Sequence, residues 1–164
     1  MKTTKQAVES LGLVPAEAGS DRLLLPDDAD AFRMFEAPSK PQYALVSSLD
    51  PITANRREMQ SMIDGKDRDR MVMVDAASKP LGGLADLPSH AILDRGRIIG
   101  LWEFDVEAGE IVWATFGGRK DAGLQAAVEA TQTFVREELG DARAFSLDSP
   151  KSRAGRIESL RRMR

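Results

Sequence analysis

A run of five strand-like segments between residues 43 and 117 constrains the fold more than any other feature of the chain. The segments are rich in apolar residues and read YALVSSL at 43–49, RMVMVD at 70–75, SHAILD at 89–94, RIIGLWEFDVE at 97–107 and EIVWATFG at 110–117. Arg95-Gly96 and Glu107-Ala108-Gly109 are turn sequences, so the last three segments are predicted to form an antiparallel meander. Gly100 inside a strand indicates a bulge or bend, which favours a curled, partly barrel-like sheet.

Residues 120–139 carry the clearest helical pattern. Its inward stripe consists of Leu124, Ala127, Val128, Thr131, Phe134, Val135 and Leu139. Asp121 lies in the first turn and Gly140 follows the last one, as is typical of helix ends. We therefore expect one long amphipathic helix to pack on the antiparallel sheet. ARAFSLDS reads as a final strand, so the sheet domain is predicted to span 43–149 and the fold class to be α+β.

The first 36 residues are predicted to form part of a winged helix. Thr3 or Thr4 can cap a helix that runs to about Leu11, and Ala18-Gly19-Ser20-Asp21 is a hairpin turn that would make the wing. A short helix after Pro26 would turn Ala31, Phe32 and Phe35 inward. The proline-containing stretch APSKPQ at 37–42 marks a domain boundary.

Residues 150–164 form a basic segment, predicted to be a helix or tail. From residue 151 on, six lysines and arginines stand against one acid, so this segment carries +5 and, since the chain carries −3, the remainder carries −8. Lys151, Arg153 and Arg156 lie about a helical turn apart, a stripe suited to phosphates or to an acidic partner. The alternative is a solubilising tail. An acidic body does not attract DNA through its bulk field, so any nucleic-acid contact depends on local arginine clusters.

Arginines also follow or flank two of the predicted strands. LVSSLDPITANRR, at 45–57, ends on Arg56 and Arg57, and the guanidinium group suits binding to phosphates. These two residues are predicted to contact a nucleic-acid backbone from a loop or helix next to the sheet. The alternative is a solvated surface on which they pair with Glu58 or Asp64. Between the first two strands, residues 51–63 are predicted to form a short helix, which Asp50, just before Pro51, would cap.

Arg95 and Arg97 flank Gly96 at the predicted hairpin tip, where both side chains would enter a minor groove or straddle a backbone. Asp94 beside them lowers the local positive potential, so an ordinary hairpin turn is the alternative. For Trp102 and Trp113, core packing is favoured over stacking on bases. For His90, a strand histidine satisfied by a hydrogen bond is favoured over a proton carrier.

Several classes of chemistry are excluded by composition. The chain has no cysteine and a single histidine, which rules out disulfides, thiolate sites and multi-histidine metal sites. Neither Asp27-Asp28 nor Asp105 with Glu107 lies among groups that would raise a pKa or hold a metal. We predict no catalytic residue, no metal and no cofactor. The apolar runs are too short for a membrane span or a secretory signal, so the protein is predicted to be cytoplasmic and to make no membrane contact.

The order of these segments resembles the C-terminal part of the AlkZ-like (YcaQ-type) winged-helix DNA glycosylases. The family's LLSPFD-like segment and following arginines are matched by LVSSLDP and Arg56-Arg57, and its LxxGRxVGxW strand pair by Leu93, Gly96, Arg97, Ile99, Gly100 and Trp102. An amphipathic helix like 120–140 follows, and TKQAVESLGL with VPAEAGSDRLLLP resembles the family's last recognition helix and wing. The resemblance covers nearly the whole chain but only the last part of a family member.

The family's catalytic Gln-apolar-Gln or Gln-apolar-Asp element is missing, since no glutamine is followed two residues later by Gln or Asp. The resemblance therefore implies a DNA-binding accessory domain in base-excision or crosslink repair, with double-stranded DNA as partner and catalysis outside this chain. The alternative is a protein-interaction or dimerisation domain of a split or degenerate family member, paired with a second copy or with a missing N-terminal winged helix. An enzyme acting on a small molecule ranks last, because no nucleophile, base or metal set is present.

Overall fold

The computed structural model describes residues 8–55 and 59–163. The chain divides into two compact units between residues 38 and 39. In the first unit, β1 (Val14–Pro15) pairs antiparallel with β2 (Leu23–Leu24), so the predicted hairpin is present with strands of two residues each. A 3-10 turn, Pro26–Asp28, then leads into α1 (Ala29–Met34).

The first unit buries little of its apolar surface. Phe32 is 46% exposed and Phe35 is 72% exposed, so the prediction that they face inward is wrong. The physical reason is size, because a six-residue helix and two-residue strands provide no layer against which both rings can pack. Among the described residues of this unit, Ala29 alone is buried.

The second unit is built on an open antiparallel sheet of four strands in the order β3-β6-β7-β8. The strands are β3 (Tyr43–Val46), β6 (His90–Asp94), β7 (Arg97–Asp105) and β8 (Glu110–Thr115). The predicted meander of the last three strands is confirmed, as is a bulge: Ile92 pairs with Gly100 but Leu93 pairs with Ile98, which leaves Ile99 as the extra residue.

The sheet does not close into a barrel, which corrects the partly barrel-like prediction. RMVMVD does not join it; β4 (Met71–Val74) instead pairs with β5 (Ala77–Pro80) in a separate two-stranded sheet. The four remaining strands end at β3 and β8, and these edges do not pair with each other. β5 was not predicted, because its sequence, ASKP, is polar and ends in proline. All four of its residues are exposed.

Helices cover both faces of the sheet. α3 (Ala122–Phe134) lies within the predicted range, starts at an Asp121 cap that accepts from the Leu124 amide, and continues as a π-helical turn, Val135–Leu139. It packs with β-strand residues such as Trp102 and Phe104. Neighbouring residues of a strand point to opposite faces, so Leu101 belongs to the other core, with α4 (Pro150–Arg162).

The segment before α4 is a loop, so the final strand predicted at 142–149 is wrong. Its Asp148 carboxylate accepts from the Phe145 amide within the loop, where a strand would need a neighbouring strand. α4 begins with a capping box between Ser149 and Ser152. The sheet is therefore packed by two helices, not by one.

Shorter elements complete the second unit. α2 (Pro51–Ala54) begins at Asp50, whose side chain accepts from the Ile52 amide, which confirms the predicted cap. 3-10 turns lie at Met59–Met62, Gly65–Asp67 and Leu81–Gly83. In the described part of the chain, no helix is long and apolar enough to cross a membrane.

Candidate nucleic-acid interface

The predicted hairpin tip carries Arg95 and Arg97 at one end of the sheet. Arg95 and Gly96 connect β6 to β7 and have φ values of 49° and 78°. Two consecutive residues with positive φ are typical of the two-residue turn that suits the twist of a hairpin. Arg97 lies opposite Asp94 in the sheet register, so both side chains leave the same face.

A buried carboxylate holds the arginines at this tip. Asp94 accepts from the Arg95 Nε at 3.1 Å and from the Arg119 Nη1 at 2.8 Å, and its side chain is 5% exposed. The Gln42 amide donates to the same carboxylate at 3.0 Å. Burial alone would raise the pKa of Asp94, but these hydrogen bonds lower it, so the group is held as an anion. Asp94 therefore fixes the direction of two guanidinium groups.

Arg119 is part of the tip although its sequence position did not indicate it. It follows Gly117-Gly118 after β8, and besides Asp94 it donates to the Tyr43 hydroxyl at 3.3 Å. Tyr43 in turn donates to Asp121, the cap of α3. The sequence feature that could have indicated Arg119 is the basic pair Arg119-Lys120 directly after two glycines. In an antiparallel meander, the end of the last strand lies at the same end of the sheet as the β6–β7 turn.

We call Arg95, Arg97 and Arg119 the arginine cluster. The side chains of Arg95 and Arg119 are 35% and 45% exposed, so both guanidinium groups combine a fixed orientation with access to solvent. Arg97 is exposed, and its side chain makes no hydrogen bond or ion pair with another described residue. With Asp94 and Asp121 included, the cluster carries a net charge of about +1, against the acidic remainder of the chain.

Arg153 and Arg156 lie inside the protein, so the predicted exposed stripe on the last helix is wrong. They are 1% and 4% exposed. Arg153 makes a forked pair with Asp141 at 2.8 and 2.9 Å and also donates to the Ala142 carbonyl. Buried guanidinium groups that are already paired cannot reach a phosphate.

Arg156 bridges two acids, donating to Glu103 and to Asp148, each at 2.6 Å. Burial raises the pKa of Glu103, and the hydrogen bond from Arg156 partly opposes that rise. The pattern that indicates burial is the spacing of Arg153, Arg156, Ile157 and Leu160, which places all four on one stripe of α4.

Arg56 and Arg57 lie outside the described residues, so the structure does not test their predicted contact with nucleic acid.

The two tryptophans were predicted to pack in the core. Trp102 is 3% exposed and donates to the Ala91 carbonyl at 3.2 Å, so core packing is confirmed. Trp113 packs, partly buried, against the α3 side of the core. Among the described residues, no group of three or more histidines and acids is placed to hold a metal ion.

Comparisons of the chain with protein-family models, with curated proteins and with solved structures found no match.

Proposed function

We propose that this protein is a DNA-binding accessory domain that holds the backbone of double-stranded DNA with its arginine cluster. The observation that carries the proposal is the buried Asp94, which orients Arg95 and Arg119 while Arg97 stays exposed beside them. A carboxylate that holds a guanidinium group in place reduces the entropy lost when that group binds a phosphate.

The resemblance to the C-terminal part of AlkZ-like glycosylases supports the same function. In this proposal, residues 1–36 are the remnant of a winged helix, Arg56 and Arg57 extend the contact to DNA, and glycosidic-bond cleavage belongs to a polypeptide that carries the missing glutamine element. With duplex DNA as partner, the protein would work where the chromosome lies, which is the cytoplasm for the bacterial enzymes that it resembles.

The binding has a predictable dependence on salt. The three arginines of the cluster, neutralising three phosphates, contribute about −2.7 to the slope of log K against log salt, which by itself is a loss of about 40-fold in affinity between 50 and 200 mM salt. Fluorescence anisotropy on a labelled duplex of about 20 base pairs measures this slope. Arg97→Ala should weaken binding and reduce the slope by about 0.9.

The matched control is Arg162→Ala, because Arg162 is also exposed but lies at the far end of α4. It should leave affinity and slope unchanged. Equal effects of the two variants, or binding that ignores salt, would overturn the proposal. A stable dimer in light scattering, without affinity for DNA, would also overturn it. That result would favour the protein-interaction or dimerisation domain, with the exposed Met34 and Phe35 as candidate contact residues.

A further inference from the structure

The first compact unit leaves many of its large apolar side chains in water. Seven of its described residues are between 40% and 74% exposed: Val8, Leu11, Leu23, Leu25, Phe32, Met34 and Phe35. A phenylalanine that packs fully buries roughly 150–250 Å², so Phe32 and Phe35 together leave on the order of 200 Å² of apolar surface exposed. The other five side chains add to this area. Extended apolar surface that is rimmed by polar residues is typical of a contact with another molecule.

The most exposed of these side chains lie on α1 and directly after it. The Phe35 amide donates to the Phe32 carbonyl, so the helical turn reaches Phe35, and the two rings, three positions apart, lie on the same side of it. Met34 stands between them in the sequence and is 74% exposed. We call Phe32, Met34 and Phe35 the α1 surface.

Acidic side chains flank the α1 surface. Residues 26–36 hold four acids and one base, a net charge of −3, and the base, Arg33, pairs with Asp30 at 3.0 Å. The other three acids, which we call the flanking acids, are exposed and make no ion pair with another described residue: Asp27, Asp28 and Glu36. Each of these carboxylates can therefore pair with a cation from outside the chain.

One of the flanking acids shares a helical stripe with the rings. Asp28 precedes α1 in a helical conformation, and Phe32 and Phe35 follow it at positions i+4 and i+7. Residues at this spacing lie along one side of a helix. A partner that covers the two rings therefore also comes within reach of this carboxylate.

The charge of the whole first unit has the same sign. Residues 1–38 hold seven acids and four bases, so they carry −3, which is the net charge of the entire chain, and residues 39–164 carry zero. A second copy of the chain would bring its own acids to the α1 surface, and DNA or an anionic membrane would bring phosphates. Because all of these meet like-charge repulsion, charge complementarity selects a basic partner.

We propose that the α1 surface docks a basic amphipathic helix of another protein. The apolar face of that helix packs on the rings of Phe32 and Phe35, which present the i, i+3 pair on which helix packing is built, and its lysines or arginines pair with the flanking acids. The contact shares no residue with the arginine cluster. The first unit is thus assigned to a protein partner, while DNA is left to the second unit.

The test uses a defined helix as the probe. A labelled peptide of about 18 residues, or about five helical turns, carries leucines on one face and lysines on the other and is titrated with the full-length protein in fluorescence anisotropy. We expect saturable binding that weakens as salt is raised, because exposed charge pairs are screened. A peptide with glutamate in place of each lysine should bind at least about tenfold more weakly.

The apolar contact is tested by Phe35→Ala. This variant should weaken binding of the leucine–lysine peptide roughly tenfold, since aromatic anchors carry much of the energy of a contact. Its matched control is Leu147→Ala, which shortens an apolar side chain of the second unit that is 94% exposed. The control should leave the affinity for the peptide unchanged.

The charged contact is tested by the double variant Asp27→Asn, Asp28→Asn. It should weaken binding of the leucine–lysine peptide roughly threefold at low salt and flatten the dependence on salt. The double variant Glu137→Gln, Glu138→Gln removes two exposed acids from the π-helical turn of the second unit and should have no such effect.

The proposal is wrong if the lysine peptide does not bind saturably, if the glutamate peptide binds as tightly, or if Phe35→Ala and Leu147→Ala have equal effects. A dimer of the protein that Phe35→Ala dissociates would instead give the surface to a second copy. A lower melting temperature of Phe35→Ala without peptide would assign the ring to packing within the chain. Arg97→Ala should leave peptide binding intact, so the peptide and DNA proposals fail independently.

Discussion

At the scale of the residue, His90 shows how burial changes the chemistry of one side chain. Its ring packs on Trp102 with the ring centres 4.2 Å apart. Burial lowers its pKa from 6.5 to about 4; the Ala142 backbone opposes this and the positive Arg156 adds to it. The imidazole is thus neutral at pH 7, as the acceptance of the Ser48 amide by Nδ1 requires.

This pKa predicts a loss of stability in mild acid. The unfolded chain takes up a proton near pH 6.5 while the folded chain resists protonation until about pH 4, so stability is fully present above pH 6.5 and falls as the pH drops through this window. Urea unfolding should show a loss of about 2 kcal/mol between pH 7 and pH 5 that is specific to His90.

His90→Asn is the reference for that measurement, because it retains an acceptor for Ser48 and leaves every carboxylate in place. Glu103 titrates in both proteins, and since its pKa is raised it acts in the opposite sense, so the difference between the two pH profiles isolates His90. Parallel profiles would show that the histidine is not buried as a neutral group.

At the scale of the element, Gly100 decides how β7 meets β8. A Cβ at this position would lie 2.3 Å from the Ala114 carbonyl oxygen, far inside van der Waals contact. Together with the bulge at Ile99, the close approach requires a residue without a side chain. The same sequence feature that predicted a bend thus also determines the spacing of two strands.

A pair of glycine substitutions tests this close approach. Gly100→Ala should lower the free energy of unfolding by about 2–3 kcal/mol, because backbone must move to admit the methyl group. Gly155→Ala, inside α4 with nothing within 4 Å of the new Cβ, should raise it by about 0.5–1 kcal/mol. Chemical denaturation of both variants measures the contrast; a neutral Gly100→Ala would refute the packing of β7 on β8.

At the scale of the whole second unit, the charge asymmetry of the chain becomes an internal pairing. The basic last helix meets acids of the sheet and the preceding loop: Arg153 pairs with Asp141, and Arg156 pairs with Glu103 and Asp148. Ile157 and Leu160 are buried on the same helix and belong to the core. The +5 segment therefore serves folding, and removing it would leave buried carboxylates without partners.

Deletion of residues 150–164 should accordingly abolish cooperative folding of the second unit. Breaking a buried ion pair costs about 3–5 kcal/mol, and loss of a core-packing helix adds to that cost, against a typical domain stability of about 5–15 kcal/mol. Circular dichroism melting curves measure the transition. The double variant Lys151→Ala, Arg162→Ala removes two exposed charges of the same helix and should melt as the parent does. A truncated protein with a native melting curve would contradict the structural role of α4.

Much of the fold follows from local sequence. The meander, the Asp50 cap, the hairpin at residues 14–24 and the bulge next to Gly100 were predicted because turn residues, caps and strand patterns act over a few neighbouring positions. β5 and the loop at 142–149 were not predicted correctly. The polar sequence of β5 does not favour a strand, yet it pairs with β4; the more apolar sequence at 142–149 favours a strand, yet it pairs with none.

The candidate site divides in the same way. The sequence by itself determined that Arg95 and Arg97 stand at a hairpin tip, because a two-residue turn places its flanking side chains at the surface. Only the tertiary structure brought Arg119 to Asp94, 25 residues away, and took Arg156 into the interior to Glu103, 53 residues away. The sequence around a basic residue looks the same whether the residue is exposed or belongs to a buried ion pair. Long-range packing decides whether a distant acid is brought close enough to pair with it.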